Sequence, residues 1–143
     1  MRSEEMTYVQ ILAPSAARTA SVGVAAEIPM DLTDIVIFHR ISSFATTTSG
    51  AIDVAIEITY DDGTTYVPVL KFTQQTSATT RYISIKNGRV AEAGSDTVAA
   101  RTGSSVAANT ILTKKIQVYF TIAGTTPSVT SSVFLLGRRS GPN

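Results

Sequence analysis

Three observations predict an all-β fold, an antiparallel sandwich or jelly roll of seven to eight strands. Apolar and polar side chains alternate with a period of two in several segments, turn signals recur at near-regular spacing, and no clear helical period is present. Composition leans the same way. Ser and Thr make up about a quarter of the 143 residues, and only 16% of the chain is charged, against a usual quarter or so. Thr, Val and Ile favour strands because branching at Cβ stiffens χ1 and suits cross-strand packing. The length fits one domain with one core.

Residues 1–31 differ from the remainder and are expected to form an N-terminal arm or an edge element ahead of a sandwich domain spanning 32–143. Ala, Ser and Val dominate there, and Pro14 and Pro29 interrupt any continuous element. Tyr8, Val9, Ile11 and Leu12 could make a short strand, and Ser21 to Ala25 another. The competing reading is an ordinary first strand of the sandwich.

Asp34 to Phe44 is rich in β-branched and aromatic residues and reads as a strand, followed by the polar stretch Thr46 to Gly50. The cleanest alternation comes next. Ile52, Val54, Ile56, Ile58 and Tyr60 alternate with Asp53, Ala55, Glu57 and Thr59, so the first set should line a core and the second should face solvent or an interface. Asp61-Asp62-Gly63 marks a hairpin. Tyr66 to Phe72 is the return strand, and Pro68 inside it cannot donate to a ladder, which predicts an edge strand or a bulge. Arg81 to Lys86 alternates again and is closed by Asn87-Gly88. Arg89 to Asn109 is long and small-residued, with only Val90, Val98 and Val106 as anchors. Thr97 to Arg101 could add a strand within it. Ile116, Val118, Phe120 and Ile122 then face opposite to Lys115, Gln117, Tyr119 and Thr121. Gly124-Thr125-Thr126-Pro127 turns the chain into a final strand from Ser128 to Leu136.

The residues needed for catalysis are sparse. His39 is the single histidine and lies mid-strand in phase with Ile35 and Ile37, the place of a core or interface histidine. Asp53 and Glu57 share a strand face but stand about 13 Å apart, too far for a glycosidase pair. Asp61-Asp62 reads as a solvated turn pair, and no calcium-loop or phosphate-cradling motif occurs. Cysteine is absent, which excludes thiolate chemistry, disulfides and Cys-ligated zinc. The expectation is a protein that is not an enzyme and needs no cofactor or metal. With 12 basic and 11 acidic residues, scattered, and no Trp, it lacks the basic stripe of a nucleic-acid binder, and no apolar run approaches a membrane span. Arg138-Arg139 reads as part of a short polar tail, either solvated and serving solubility or able to meet an acidic partner.

Two turn motifs carry a family resemblance. Asp61-Asp62-Gly63-Thr64-Thr65-Tyr66 follows an Ile/Val strand, and Gly124-Thr125-Thr126-Pro127-Ser128-Val129-Thr130 joins the last two. Over roughly Leu32 to Leu136 the chain resembles the small β-sandwich structural proteins of tailed-bacteriophage virions, of the decoration or cement type. The resemblance implies a virion protein, made in the host cytoplasm, that binds the outside of the capsid by protein–protein contacts and transfers no catalytic residue. Its expected partners are the major capsid protein or other virion subunits and copies of itself, a trimer most plausibly. A tail or neck subunit and a carbohydrate- or receptor-binding sandwich are the rival readings, and a small hydrolase is the least favoured. Candidate contact residues are Tyr8, Ile11, Leu12, Val98, Val106, Arg138 and Arg139, with at least one of the two weakly patterned segments expected to order on a neighbour.

Overall fold

The computed structural model describes residues 5–45, 48–86, 89–91 and 112–140. Among them are nine strands and no helix: β1 (Glu5–Arg18), β2 (Val22–Glu27), β3 (Leu32–Ala45), β4 (Ala51–Thr59), β5 (Tyr66–Lys71), β6 (Thr80–Lys86), β7 (Arg89–Ala91), β8 (Lys115–Ala123) and β9 (Ser128–Ser140). They form a five-stranded sheet in the order β1-β9-β3-β6-β7 and a four-stranded sheet in the order β2-β8-β4-β5. Every neighbouring pair is antiparallel. The fold is the expected antiparallel β-sandwich, with nine strands against the seven to eight expected.

The core lies between the sheets. From the larger sheet come Ile35, Ile37, Ile41, Ile83, Ile85, Val129, Val133 and Leu135; from the smaller come Ile52, Val54, Ile56, Leu70, Phe72, Ile116, Val118 and Phe120. Each such side chain contributes about 1.5–3 kcal/mol relative to exposure, and most of them stand at the alternate positions that the period of two selects. Ile58, expected in the core, is only half-buried near the end of β4.

Turn and edge chemistry follow from particular residues. Asp62 and Gly63 both have positive φ, 59° and 98°. Thr59 Oγ1 accepts from the Gly63 amide at 2.8 Å, and Asp61 Oδ1 accepts from the Thr65 amide at 2.7 Å and the Thr59 hydroxyl at 2.9 Å. Asp61 is therefore not merely solvated: these donors, the Thr65 amide foremost, hold its carboxyl below the usual carboxylate range. Asp62 likewise has a partner, Lys115 Nζ at 2.9 Å. Pro68 lies opposite Glu57 on β5, an edge strand, beside a register shift between Ile56 and Glu57, so the edge and the irregularity coincide. Gly124 has φ 120° and lies against the backbone of Gly50, where an added Cβ would come within 2.8 Å. That close approach explains glycine at the turn into β9.

Residues 5–27 are two edge strands, one per sheet. β1 pairs with β9 from Glu5↔Ser140 to Arg18↔Val129, and Gln10 Nε2 bridges to the Glu27 carbonyl at 2.7 Å. Within a single chain, residues 5–18 already have a ladder partner in β9, as an edge element of the larger sheet. Arg138 and Arg139 also depart from expectation. They belong to β9, opposite Thr7 and Met6, rather than to a polar tail. Of the long weakly patterned segment, Arg89–Ala91 forms β7; its other residues, including 97–101, lie outside the described residues.

One part of the face assignment is overturned. Asp53 and Glu57 point away from the core side of β4, as alternation requires, yet they are 8% and 0% exposed. β4 runs between β8 and β5, whose side chains close over this row. Lys71 Nζ stands 3.3 Å from Asp53, Gln74 Nε2 donates to Asp53 at 2.8 Å, and Gln117 Nε2 donates to Glu57 at 2.7 Å. The consequence is measurable by denaturant unfolding. Ile56→Ala should cost about 2–5 kcal/mol through lost burial and a cavity. Glu57→Ala, which strips a buried acceptor from Gln117, should cost about 1–3 kcal/mol. A Glu57→Ala protein as stable as the parent would show that the carboxylate is not held as described.

Candidate protein–protein interface

The larger sheet is apolar on both sides. Its centre is built from two continuous apolar runs, Ile35-Val36-Ile37-Phe38 on β3 and Val133-Phe134-Leu135-Leu136 on β9. Alternation sends Ile35, Ile37, Val133 and Leu135 into the core and leaves Val36, Phe38, Phe134 and Leu136 on the opposite, outer face. Register extends this face into rows. Val9, Leu136, Val36 and Ser84 are consecutive cross-strand neighbours, as are Ile11, Phe134, Phe38 and Tyr82. Val9 is 66% exposed, Ile11 57% and Tyr82 39%. The central four are half-buried by their neighbours, with the Phe38 and Tyr82 rings 5.7 Å apart. A contiguous apolar patch of this kind is a candidate interaction surface.

Charged side chains border the patch at both ends. At one end Arg138 Nη1 lies 3.8 Å from Asp34. Arg139, next along β9, alternates to the other side of the sheet, where its Nε donates to Asp31 at 3.0 Å and its guanidinium sits 5.6 Å from the ring centre of Tyr8. A shallow depression beside Arg138 is lined by Thr7, Asp34, Val36, Ser84 and Leu136. At the other end Arg40 is exposed opposite Ser132.

Of the candidate contact residues, the structure brings Ile11 and Arg138 to this face or its border. Tyr8 is half-buried, its hydroxyl donating to Gln10 at 2.9 Å. Leu12 is a correction: it is 2% exposed and part of the core. Alternation with exposed Val9 and Ile11 points Leu12 inward, and the register shift between Ile11 and Ala13 adds a residue that seats Ala13 in the interior beside it. Val98 and Val106 lie outside the described residues. The reading of contact residues overlooked Val36, Phe38, Phe134, Leu136 and Tyr82. The signal that could have found most of them was the loss of alternation in the two apolar runs, which implies apolar side chains on both faces of a strand.

His39 is 1% exposed, a core residue. Its ring stands 5.5 Å from Phe72 and 6.4 Å from Phe120, and neither ring nitrogen has a hydrogen-bond partner among the described residues. Arg18 reaches over Phe120 at 3.9 Å from the end of β1, bonded to the Pro14 carbonyl at 2.8 Å, and Arg81 is the cross-strand neighbour of His39 on β6. Burial, with repulsion from Arg18, pushes the imidazole pKa down to about 3. Burial also lowers Arg18. Among the described residues, no three His, Asp or Glu side chains come together in a metal-binding arrangement.

The sign of the pH dependence follows. Above the ordinary value of about 6.5 both folded and unfolded chains hold a neutral imidazole. Below it the unfolded chain takes a proton that the folded chain refuses, so stability declines until the folded imidazole itself protonates near 3. The slope should approach about 1.4 kcal/mol per pH unit. Between pH 6.5 and 5, above most carboxylate titration, unfolding should therefore lose about 2 kcal/mol. A His39→Leu variant should be flat in that window, and equal slopes in the two proteins would show that His39 is not the titrating group.

No protein-family model, curated protein or solved structure matches this chain.

Proposed function

We propose that this chain is a structural subunit of a bacteriophage-type virion that binds the outside of the capsid as a decoration or cement protein. The observation that carries the reading is the outer face of β1, β9, β3 and β6, a bordered apolar surface on the side of the sheet away from the core. Such a face costs solubility unless a partner covers it. Because it rests on hydrogen-bonded strands of a packed sandwich, it is preformed. Binding then immobilises few side chains and little backbone, and more of the buried area is retained as affinity. The mechanism is adhesive: a rigid sandwich spans neighbouring subunits, with the major capsid protein or other virion subunits as partners and a homo-oligomer as the working form. The protein is made in the host cytoplasm and resides in the virion, without a role for nucleic acid or membrane.

Electron microscopy of purified particles carrying an affinity-tagged copy of the chain, labelled through the tag, tests the reading. Label repeated over the shell is the expected result. Label confined to the neck or tail would assign the protein to that part of the particle instead. Unlabelled particles, together with binding of the isolated chain to a glycan array, would replace the reading with a carbohydrate-binding module.

A further inference from the structure

We propose that the outer face of the larger sheet seats a second copy of this chain, stacked face to face about a two-fold axis that crosses the strands over Ile37. The inference rests on the assembly reading above and names the occupant of the surface that carries it.

The register of the face is what selects this partner. A two-fold axis lying between the sheets and perpendicular to the strands keeps β3 over β3 and reverses its direction. Positions equally spaced about Ile37 then meet, so Val36 faces the second copy's Phe38. The two rows established above behave alike, because each crosses the sheet at one height. Leu136 faces the second copy's Phe134, Val9 faces its Ile11, and Ser84 faces its Tyr82. Except at the β1 pair, whose two side chains are similar in size, each contact sets a large side chain against a smaller one. Interdigitated layers need such pairing to fill space without voids.

Charge at the borders points to the same arrangement. Asp34 and Arg40 lie three positions to either side of Ile37, about 20 Å apart along β3, and the axis brings each onto the other's place. Asp34 would lie between Arg138 of its own chain, 3.8 Å away, and Arg40 of the copy. An axis along the strands would instead set Asp34 on Asp34, Arg40 on Arg40 and Phe38 on Phe38, so like charges oppose that orientation.

The area is adequate for a weak dimer. Four strands and four rows, the charged borders included, span about 20 Å by about 27 Å. Two such faces bury on the order of 1,000 Å², near the lower bound for a specific interface.

The test is sedimentation equilibrium on the full chain, with circular dichroism melts to check that each variant folds. The parent should show twice its 15.1 kDa mass, with a dissociation constant on the order of micromolar. Ile11→Glu changes an exposed edge-strand position, so it should leave the fold intact and weaken association at least about ten-fold. Asp34→Arg and Arg40→Asp should each weaken self-association similarly. An equimolar mixture of these two should restore it as a heterodimer, as should the double variant, because each then sets opposite charges face to face. A monomeric or trimeric parent, a dimer indifferent to Ile11→Glu, or charge variants that do not rescue one another would overturn the proposal. Particle labelling separates the two readings. A monomer that still labels particles removes the dimer alone, whereas a dimer with the predicted rescue that labels no particle supports the dimer and removes the virion assignment.

Discussion

The pairing of β3 with β9 is the constraint on which the rest of this molecule depends. These strands lie at the centre of the larger sheet and run together from Leu32↔Arg139 to Ala45↔Ser128. Both are apolar on two sides over their middle thirds. One side is taken by the smaller sheet, whose Phe72, Phe120 and Val118 complete the core. The other side has no covering layer within the described residues, and β1 and β6 widen it. Core and outer apolar face are thus two surfaces of the same hydrogen-bonded pair, so the rigidity that packing confers on one is inherited by the other.

The smaller sheet resolves the same geometric problem differently. Its outward row on β4 carries Asp53, Ala55 and Glu57, and all three are buried. Flanking strands supply ammonium and amide groups that meet the carboxylates, so the row is closed by polar side chains rather than by an apolar neighbour. Breaking such contacts is costly because it leaves a charge buried without its partner. The two outer faces therefore differ in kind: one is satisfied internally by hydrogen bonds and an ion pair, and the other offers hydrocarbon that nothing in the same sheet can satisfy.

His39 shows how the core tolerates a polar group. It occupies an inward position of β3 between the aromatic rings of Phe72 and Phe120, and it remains neutral there. The neighbouring guanidinium of Arg18 is bonded to backbone carbonyls and lies on the face of Phe120, where cation–π attraction partly offsets its lost hydration. A polar pair is thus built into the packed interior, and its imidazole makes the core sensitive to pH.

The sequence by itself determined the fold class, the positions of most strands, the hairpin at Asp61-Asp62-Gly63 and the edge placement of the proline-bearing strand. These depend on local chemistry: period-two alternation, turn residues able to adopt positive φ, and a proline without an amide hydrogen. Tertiary structure decided everything that depends on which strands become neighbours. Alternation states that Glu57 points away from the core, but only the placement of β4 between β8 and β5 buries it. Leu12, one of the few large apolar residues of the N-terminal segment, is a contact candidate by sequence, but alternation with exposed Val9 and Ile11 on a paired strand sends it into the core. Arg138 and Arg139 looked like a tail until pairing with β1 carried the last strand past them. The outer apolar face was legible only in part, through two apolar runs that fail to alternate. A run of that kind shows that both faces of a strand are apolar. Which face the second sheet covers, and which it leaves uncovered, is set by long-range packing that no local pattern encodes.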